Sequence, residues 1–205
     1  MDRTLRSTKT TKQEIAVPSF GFTGEMASGK STYANRLSAR LEEEFGISVL
    51  RPSFSAKIME VAADLFRMDG KDRVLLGEIS SKMREIDPMV WVNVVVRQIE
   101  ENGSPPFVVD GIRLVQDEIR LRERFPSFII VRIFTDEQQR SEAYKRAYGR
   151  YPTEEDLNNK GEGDISKLHY DLRLVNNYTD ENREMQLNGI IDSIRAGTIA
   201  ELLRH

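Results

Sequence analysis

Gly24-Glu25-Met26-Ala27-Ser28-Gly29-Lys30-Ser31 is the stretch whose reading decides the fold. It satisfies G-x-x-x-x-G-K-[ST] at every fixed position, with the run Pro18 to Thr23 reading as a strand before it and an apolar-periodic helix after it. Strand, glycine-rich turn and helix in that order make a P-loop. A polyphosphate is held best by backbone N–H groups, and glycines at both ends, Gly24 and Gly29, let the chain curl tightly enough to aim several of them inward. The nucleotide-binding set is therefore Gly24, Glu25, Met26, Ala27, Ser28, Gly29, Lys30, Ser31 and Thr32. Lys30 is expected to reach the β- and γ-phosphates with an ammonium that is exposed before ligand arrives, and Ser31 to ligate the magnesium that bridges them.

The whole chain bounds what this loop can serve. At 205 residues one substantial core is ordinary, so a single domain over 17–205 is expected, preceded by a flexible basic tail at 1–16 that carries Arg3, Arg6, Lys9 and Lys12. The net charge of −3, with 31% charged and 39% hydrophobic residues, gives no overall basic balance, so nucleic acid is not expected as a partner. With no cysteine and only His169 and His205, a disulfide framework, thiol catalysis and a histidine-based zinc site or triad are set aside. No run approaches the ~20 apolar residues of a membrane span and no signal pattern opens the chain, so a cytoplasmic location without membrane contact is expected. Nothing in the pattern speaks to an oligomeric state.

Onward from the loop, Ala34, Leu37, Leu41 and Phe45 repeat at helical spacing up to Gly46, and Ile47 to Leu50 reads as a short strand. A turn through Ser53-Phe54-Ser55 leads to a helix over 56–66, with Ser53 or Ser55 as its N-cap. The charged segment 68–86 reads as helix, and Asp87-Pro88 announces another one, over 89–101. Phe107 to Asp110 is a strand that delivers a carboxylate toward a magnesium ion, and 115–125 a charged amphipathic helix. Phe128 to Phe134 should be a central strand buried on both faces. Thr135 to Gln138 has capping-box spacing and opens a helix reaching Gly149. A polar, lid-like excursion near 140–165, a last strand over 172–175 and a helix over 181–196 complete the chain. The fold class is α/β: a three-layer P-loop arrangement with a mainly parallel sheet of about five strands and helices on both faces. Ligands collect beyond the carboxyl ends of such strands.

Four stretches, GEMASGKS, FSAKIMEVAADLF, KDRVLLGEISSKMREIDPMVWV and VVDGIRLVQDE, resemble the P-loop nucleoside and nucleotide kinase superfamily, most of all the phage-type deoxynucleoside monophosphate kinases. The likeness covers most of 20–134. Parts of it are shared with dephospho-CoA kinases and animal-type phosphomevalonate kinases, and Arg173 to Asn177 looks like the final strand and adenine-side loop of the former, which places Asn177 in the nucleotide set. The chain departs from the adenylate kinases at Asp110-Gly111-Ile112-Arg113.

The resemblance implies ATP and Mg2+ as cofactors and a small-molecule phosphate acceptor, a nucleoside monophosphate, as partner. Phosphoryl transfer asks mainly for positioning and charge neutralisation, which suits a site of Lys, Arg, Ser and Asp. Lys30, Asp110, Arg113 and Arg146 are the catalytic candidates, Ser31 and Asp110 the metal ligands, and Ser55, Lys57, Arg73, Arg84 and Arg113 the acceptor grip. Arg140, Arg146 and Arg150 are lid candidates. A hydroxyl acceptor, with Asp110 also acting as base, and a nucleotide-binding regulator without kinase activity are the alternatives. His169 reads as a surface or packing residue and Trp91 as a core anchor.

Overall fold

The strand and helix expected on either side of the glycine-rich turn are β1 (Ser19–Thr23) and α1 (Lys30–Phe45) in a computed structural model that describes residues 15–70, 72–157, 165–199 and 201. β1 is joined in a parallel sheet by β2 (Val108–Asp110), β3 (Phe128–Phe134) and β4 (Leu172–Val175), in the order β2-β1-β3-β4. β1 and β3 occupy the middle, which is why they are apolar without alternation. Phe20, Phe22, Val108, Ile129 and Val131 meet Leu37 and Leu41 of α1 and Leu187, Ile190 and Ile191 of α8 (Asp180–Arg195) on one face. On the other, Val109, Phe128 and Ile130 meet Val92, Val95 and Ile99 of α4 (Val90–Glu101) and Leu121 of α5 (Val115–Arg124). The period of two along each strand thus feeds two separate apolar layers. At the β4 edge, Gln186 of α8 bonds both the N–H and the C=O of Val175, at 2.8 and 2.9 Å, occupying ladder groups that another chain could otherwise pair with.

A third cluster lies beside the sheet and sets the shape of the site. Trp91 is 2% exposed and packs with Ile58 and Ala62 of α2 (Phe54–Phe66) and Ile79 of α3 (Arg73–Ile86), while its indole N–H donates to the Ser80 carbonyl at 3.1 Å. Trp91 is thus a core anchor, and it pins α2 and α3 beside the carboxyl end of β2. His169 is a surface residue with an 88% exposed side chain.

Several sequence expectations are corrected. The strand expected over 47–50 is reduced to isolated parallel bridges, Leu50 to Phe107 and Ser53 to Asp110, so four strands replace about five among the described residues. Pro52 has no N–H to give to a ladder, and the chain turns at once into α2. That helix starts at Phe54, two residues early, because Ser53 is the cap and accepts from the Ala56 N–H. Asp87 does accept from the Met89 N–H, at 2.8 Å, but regular helix begins only at Val90. The cap of α6 (Glu137–Tyr148) is Asp136, which accepts from the N–H groups of Gln138 and Gln139; Thr135 is pulled out of the expected capping box by a 2.9 Å bond to the Asn176 carbonyl. Within the lid-like excursion lies α7 (Glu154–Leu157), and a 3-10 turn (Ile165–Lys167) stands at its end. Most of the basic tail, the stretch 158–164 and His205 lie outside the described residues. Among those residues, no helix is long and apolar enough to cross a membrane.

Candidate active site

Gly24 to Ser31 forms the turn from β1 into α1. Gly29 is the left-handed N-cap of α1 with φ 93°, no side chain caps the helix, and no acidic residue stands in its first turn. The positive end of the helix dipole therefore meets neither a side-chain cap nor a first-turn carboxylate at the mouth of the loop. A Cβ on Gly24 would lie 2.6 Å from the Ile133 carbonyl oxygen, and one on Gly29 2.5 Å from the Asn176 amide nitrogen, so both glycines are demanded by close approach as well as by positive φ. Met26, Ala27, Gly29, Lys30, Ser31 and Thr32 line a cleft of about 640 Å3 at the carboxyl ends of the strands. Gly24, Glu25 and Ser28 do not line it: Glu25 is exposed and pairs with Arg140 at 3.0 Å, while Ser28 is 1% exposed.

Lys30 departs from expectation. Its side chain is 8% exposed, and the ammonium donates to the carbonyls of Gly24 at 2.7 Å and Glu25 at 2.6 Å. A partly buried cation needs acceptors, and the curled loop supplies its own carbonyl oxygens. Its positive charge is thereby held at the cradle in advance.

Two residues of the β4–α8 connection grip the loop from the side: Asn176, which lies in the stretch Arg173 to Asn177 singled out in the sequence, and Tyr178, which the sequence reading missed. Asn176, 1% exposed, donates to the Ser28 carbonyl at 2.9 Å, and the Tyr178 hydroxyl donates to the Ala27 carbonyl at 2.7 Å. Burial pushes the Tyr178 hydroxyl pKa up, so it remains a donor. The neighbouring Asn177 does not line the cleft; its side chain accepts from Thr179 N–H and Oγ1 at 3.0 and 2.9 Å, and so shapes the start of α8.

Opposite the P-loop, the end of β2 and the helices around it bring Ser55, Arg84, Asp110 and Arg113 to the same cleft. Arg84 is held by Asp117 through a pair of bonds, Nη1 to Oδ1 at 3.2 Å and Nη2 to Oδ2 at 3.4 Å. Asp117 is 2% exposed, and desolvation pushes its carboxyl above the usual range, with Arg84 opposing that shift. The sequence did hold a signal for Asp117: it shares an i,i+4 face with the buried Leu121, so this first-turn carboxylate is carried to the buried side of α5. Lys57 does not reach the cleft; it is about half exposed and pairs with Glu60 on its own helix. Arg73 opens α3, and its side chain lies outside the described residues. Arg146 is exposed on α6 with its guanidinium 5.9 Å from the Tyr178 ring centroid, outside the cleft lining, which α6 reaches through Ala143, Ala147 and Tyr148. Arg150 pairs with Asp156, whose carboxyl is held below the usual range chiefly by that guanidinium.

The donor set fits a nucleotide phosphate: uncapped amides, Lys30, and hydroxyls at Ser31 and Thr32. Among the described residues no group of three or more His, Cys, Asp or Glu forms a metal cage, so a divalent ion here would be held by Ser31 and Asp110 with the remaining positions taken by phosphate oxygens and water, as Mg2+ usually is.

No protein-family model matches the chain. A UPF0200 protein of Methanothermobacter thermautotrophicus is 28% identical over 121 residues, 58% of this chain and 56% of that protein, so the match spans little more than half the length of this curated relative. Among solved structures, a gluconokinase from Sinorhizobium meliloti is similar at a TM-score of 0.54 with 14% identity, over 88% of this chain and 97% of its own. A shikimate kinase from Bacteroides thetaiotaomicron is similar at 0.51 with 14% identity, over 87% and 98%. The chain shares its fold with these two kinases. An uncharacterized protein from Eubacterium ventriosum has it too, at 0.50 with 17% identity over 88% and 99%. A P-loop kinase fold at such identities says how the sheet, helices and loop are arranged and leaves the acceptor to be argued from the site.

Proposed function

We propose that this chain is an ATP- and Mg2+-dependent phosphotransferase that converts a (deoxy)nucleoside monophosphate to the diphosphate. The observation that carries the reading is that one cleft joins the uncapped, lysine-bearing P-loop to a wall bearing Arg84 and Arg113. Its volume of about 640 Å3 suits a small ligand pair. In this reading an anionic oxygen of the acceptor phosphate attacks the γ-phosphorus, the bond to the β,γ-bridging oxygen breaks, and ADP leaves. Lys30 and the first-turn amides of α1 hold the donor phosphates and stabilise charge on the transferring group, and Arg113 grips the acceptor phosphate. Ser31 and Asp110 are the residues that would hold magnesium, which would supply charge neutralisation on the donor phosphates. A monophosphate brings its own anionic nucleophile, so the site needs cationic grips more than a base.

A second reading, a hydroxyl acceptor, is favoured by Asp110, which stands at a strand end in the cleft where it could accept a proton during transfer. The relatives named gluconokinase and shikimate kinase share the fold and keep this reading in play. ADP release with ATP and Mg2+, measured against nucleoside monophosphates, nucleosides, dephospho-CoA, phosphomevalonate, gluconate and shikimate, separates them. Turnover with a monophosphate and none with the hydroxyl acceptors is expected; a preference for an acceptor without phosphate sinks the first reading. A nucleotide-binding regulator would release no acceptor-dependent ADP with any of them.

A further inference from the structure

Asp117 is 2% exposed yet lines the same cleft beside Arg84, and nothing in the transfer chemistry above uses its carboxylate. Burial of a carboxylate is unfavourable unless it is paired and hydrogen-bonded, and its partner, Arg84, comes from another helix 33 residues away. The geometry of that pairing is specific. Arg84 gives one Nη1 hydrogen to Asp117 Oδ1, the other to the Pro88 carbonyl at 3.1 Å, and one Nη2 hydrogen to Oδ2. Of the five donors that a planar guanidinium carries, the Nε hydrogen and the second Nη2 hydrogen are left, side by side on one edge. Arg84 itself lines the cleft, in company with Phe54, Ile58, Leu76 and Ser80.

Charge decides what such an edge can recognise. The positive charge of Arg84 is compensated by a carboxylate about 3 Å away, so a phosphate on the free edge would gain two hydrogen bonds but feel Asp117 as a near like charge. An uncharged acceptor atom gains the bonds without that repulsion. The apolar side chains on the same wall suit a flat ring.

We propose that Asp117 is a positioning residue that holds Arg84 as an oriented, charge-compensated fork, and that this fork recognises an uncharged polar edge of the acceptor, a ring carbonyl or ring nitrogen of a nucleobase, leaving the acceptor phosphate to Arg113. The proposal rests on the monophosphate-kinase reading.

The test compares wild type with Asp117→Asn, Arg84→Ala, the double variant and Arg84→Lys. KM is measured for the preferred monophosphate and for ATP, and ribose 5-phosphate, which has the phosphate without the base, is used as a competitive inhibitor. Asp117→Asn is expected to raise the acceptor KM tenfold or more, to leave the ATP KM within twofold, and to leave inhibition by ribose 5-phosphate unchanged. The double variant should be no worse than Arg84→Ala, because a residue acting only through Arg84 has nothing left to position. Should Asp117→Asn fail to fold, Arg84→Lys, which keeps the charge and gives up the planar fork, carries the same expectations. Additive losses, a lower acceptor KM in Asp117→Asn, or weakened ribose 5-phosphate inhibition would each overturn this proposal while wild-type turnover leaves the kinase reading standing. No wild-type transfer to any monophosphate overturns both.

Discussion

The Tyr178 hydroxyl donates to the Ala27 carbonyl at 2.7 Å, and both residues, neither of them glycine, hold left-handed backbones, with φ of 63° and 61°. Non-glycine residues adopt that region at a cost of order 1–3 kcal/mol each, and here two of them are tied together across 151 residues of chain. The bond joins the β4–α8 connection to the tip of the P-loop, so the shape of the phosphate cradle is imposed from outside it. Tyr178→Phe should weaken ATP binding by about two- to tenfold, the equivalent of one hydrogen bond of about 0.5–1.5 kcal/mol, with little change in the acceptor KM. Calorimetric titration with ATP checks it, and an unchanged affinity would mean the loop holds its shape alone.

Gly29→Ala should do more. The new Cβ would meet the buried Asn176 amide, and φ 93° is unfavourable for alanine. The expected loss is about 1–3 kcal/mol of stability together with ATP binding, since the amide that must move is the one holding Ser28. Thermal unfolding with and without ATP reads both. A variant with wild-type ATP affinity would show that the Asn176 clamp is dispensable.

Lys30→Ala should abolish nearly all transfer. Because the ammonium also bonds the Gly24 and Glu25 carbonyls, the empty loop should loosen as well. Amide hydrogen exchange across 24–30 in the nucleotide-free variant should rise, and comparable turnover would remove Lys30 from the mechanism.

Arg113→Ala should raise the acceptor KM tenfold or more and barely change the ATP KM, because a charged contact is worth about 1.5–3 kcal/mol. Steady-state kinetics with each substrate varied in turn would show it. Equal losses for both substrates would place Arg113 on the donor phosphates.

Asp156 titrates below its ordinary 3.8, held there first by Arg150 and then by the Thr153 N–H. For a carboxyl depressed in the folded state, the stabilisation is fully present above its ordinary pKa and is lost as pH falls through the lower folded value. The α7 turn should therefore persist at pH 4, and Asp156→Asn should mimic its acid form at neutral pH. A carboxyl NMR titration midpoint at or above 3.8 would contradict this.

The local pattern alone determined the frame. Gly24 to Ser31 announces its loop through glycines that tolerate unusual backbone, Phe128 to Phe134 announces a strand buried on both faces, and Leu187, Ile190, Ile191 and Ile194 announce the buried face of α8. Those signals are periodic or conformational, so they are carried by neighbours in sequence. Strand order, the loss of a fifth strand beyond Pro52, and the grip of Asn176 and Tyr178 on the P-loop were decided only in three dimensions. So was the pairing of Arg84 with Asp117. A lone Asn, Tyr or Arg carries no mark of its partner when that partner lies dozens of residues away, and whether its charge is free or compensated depends on the burial and direction that only packing supplies.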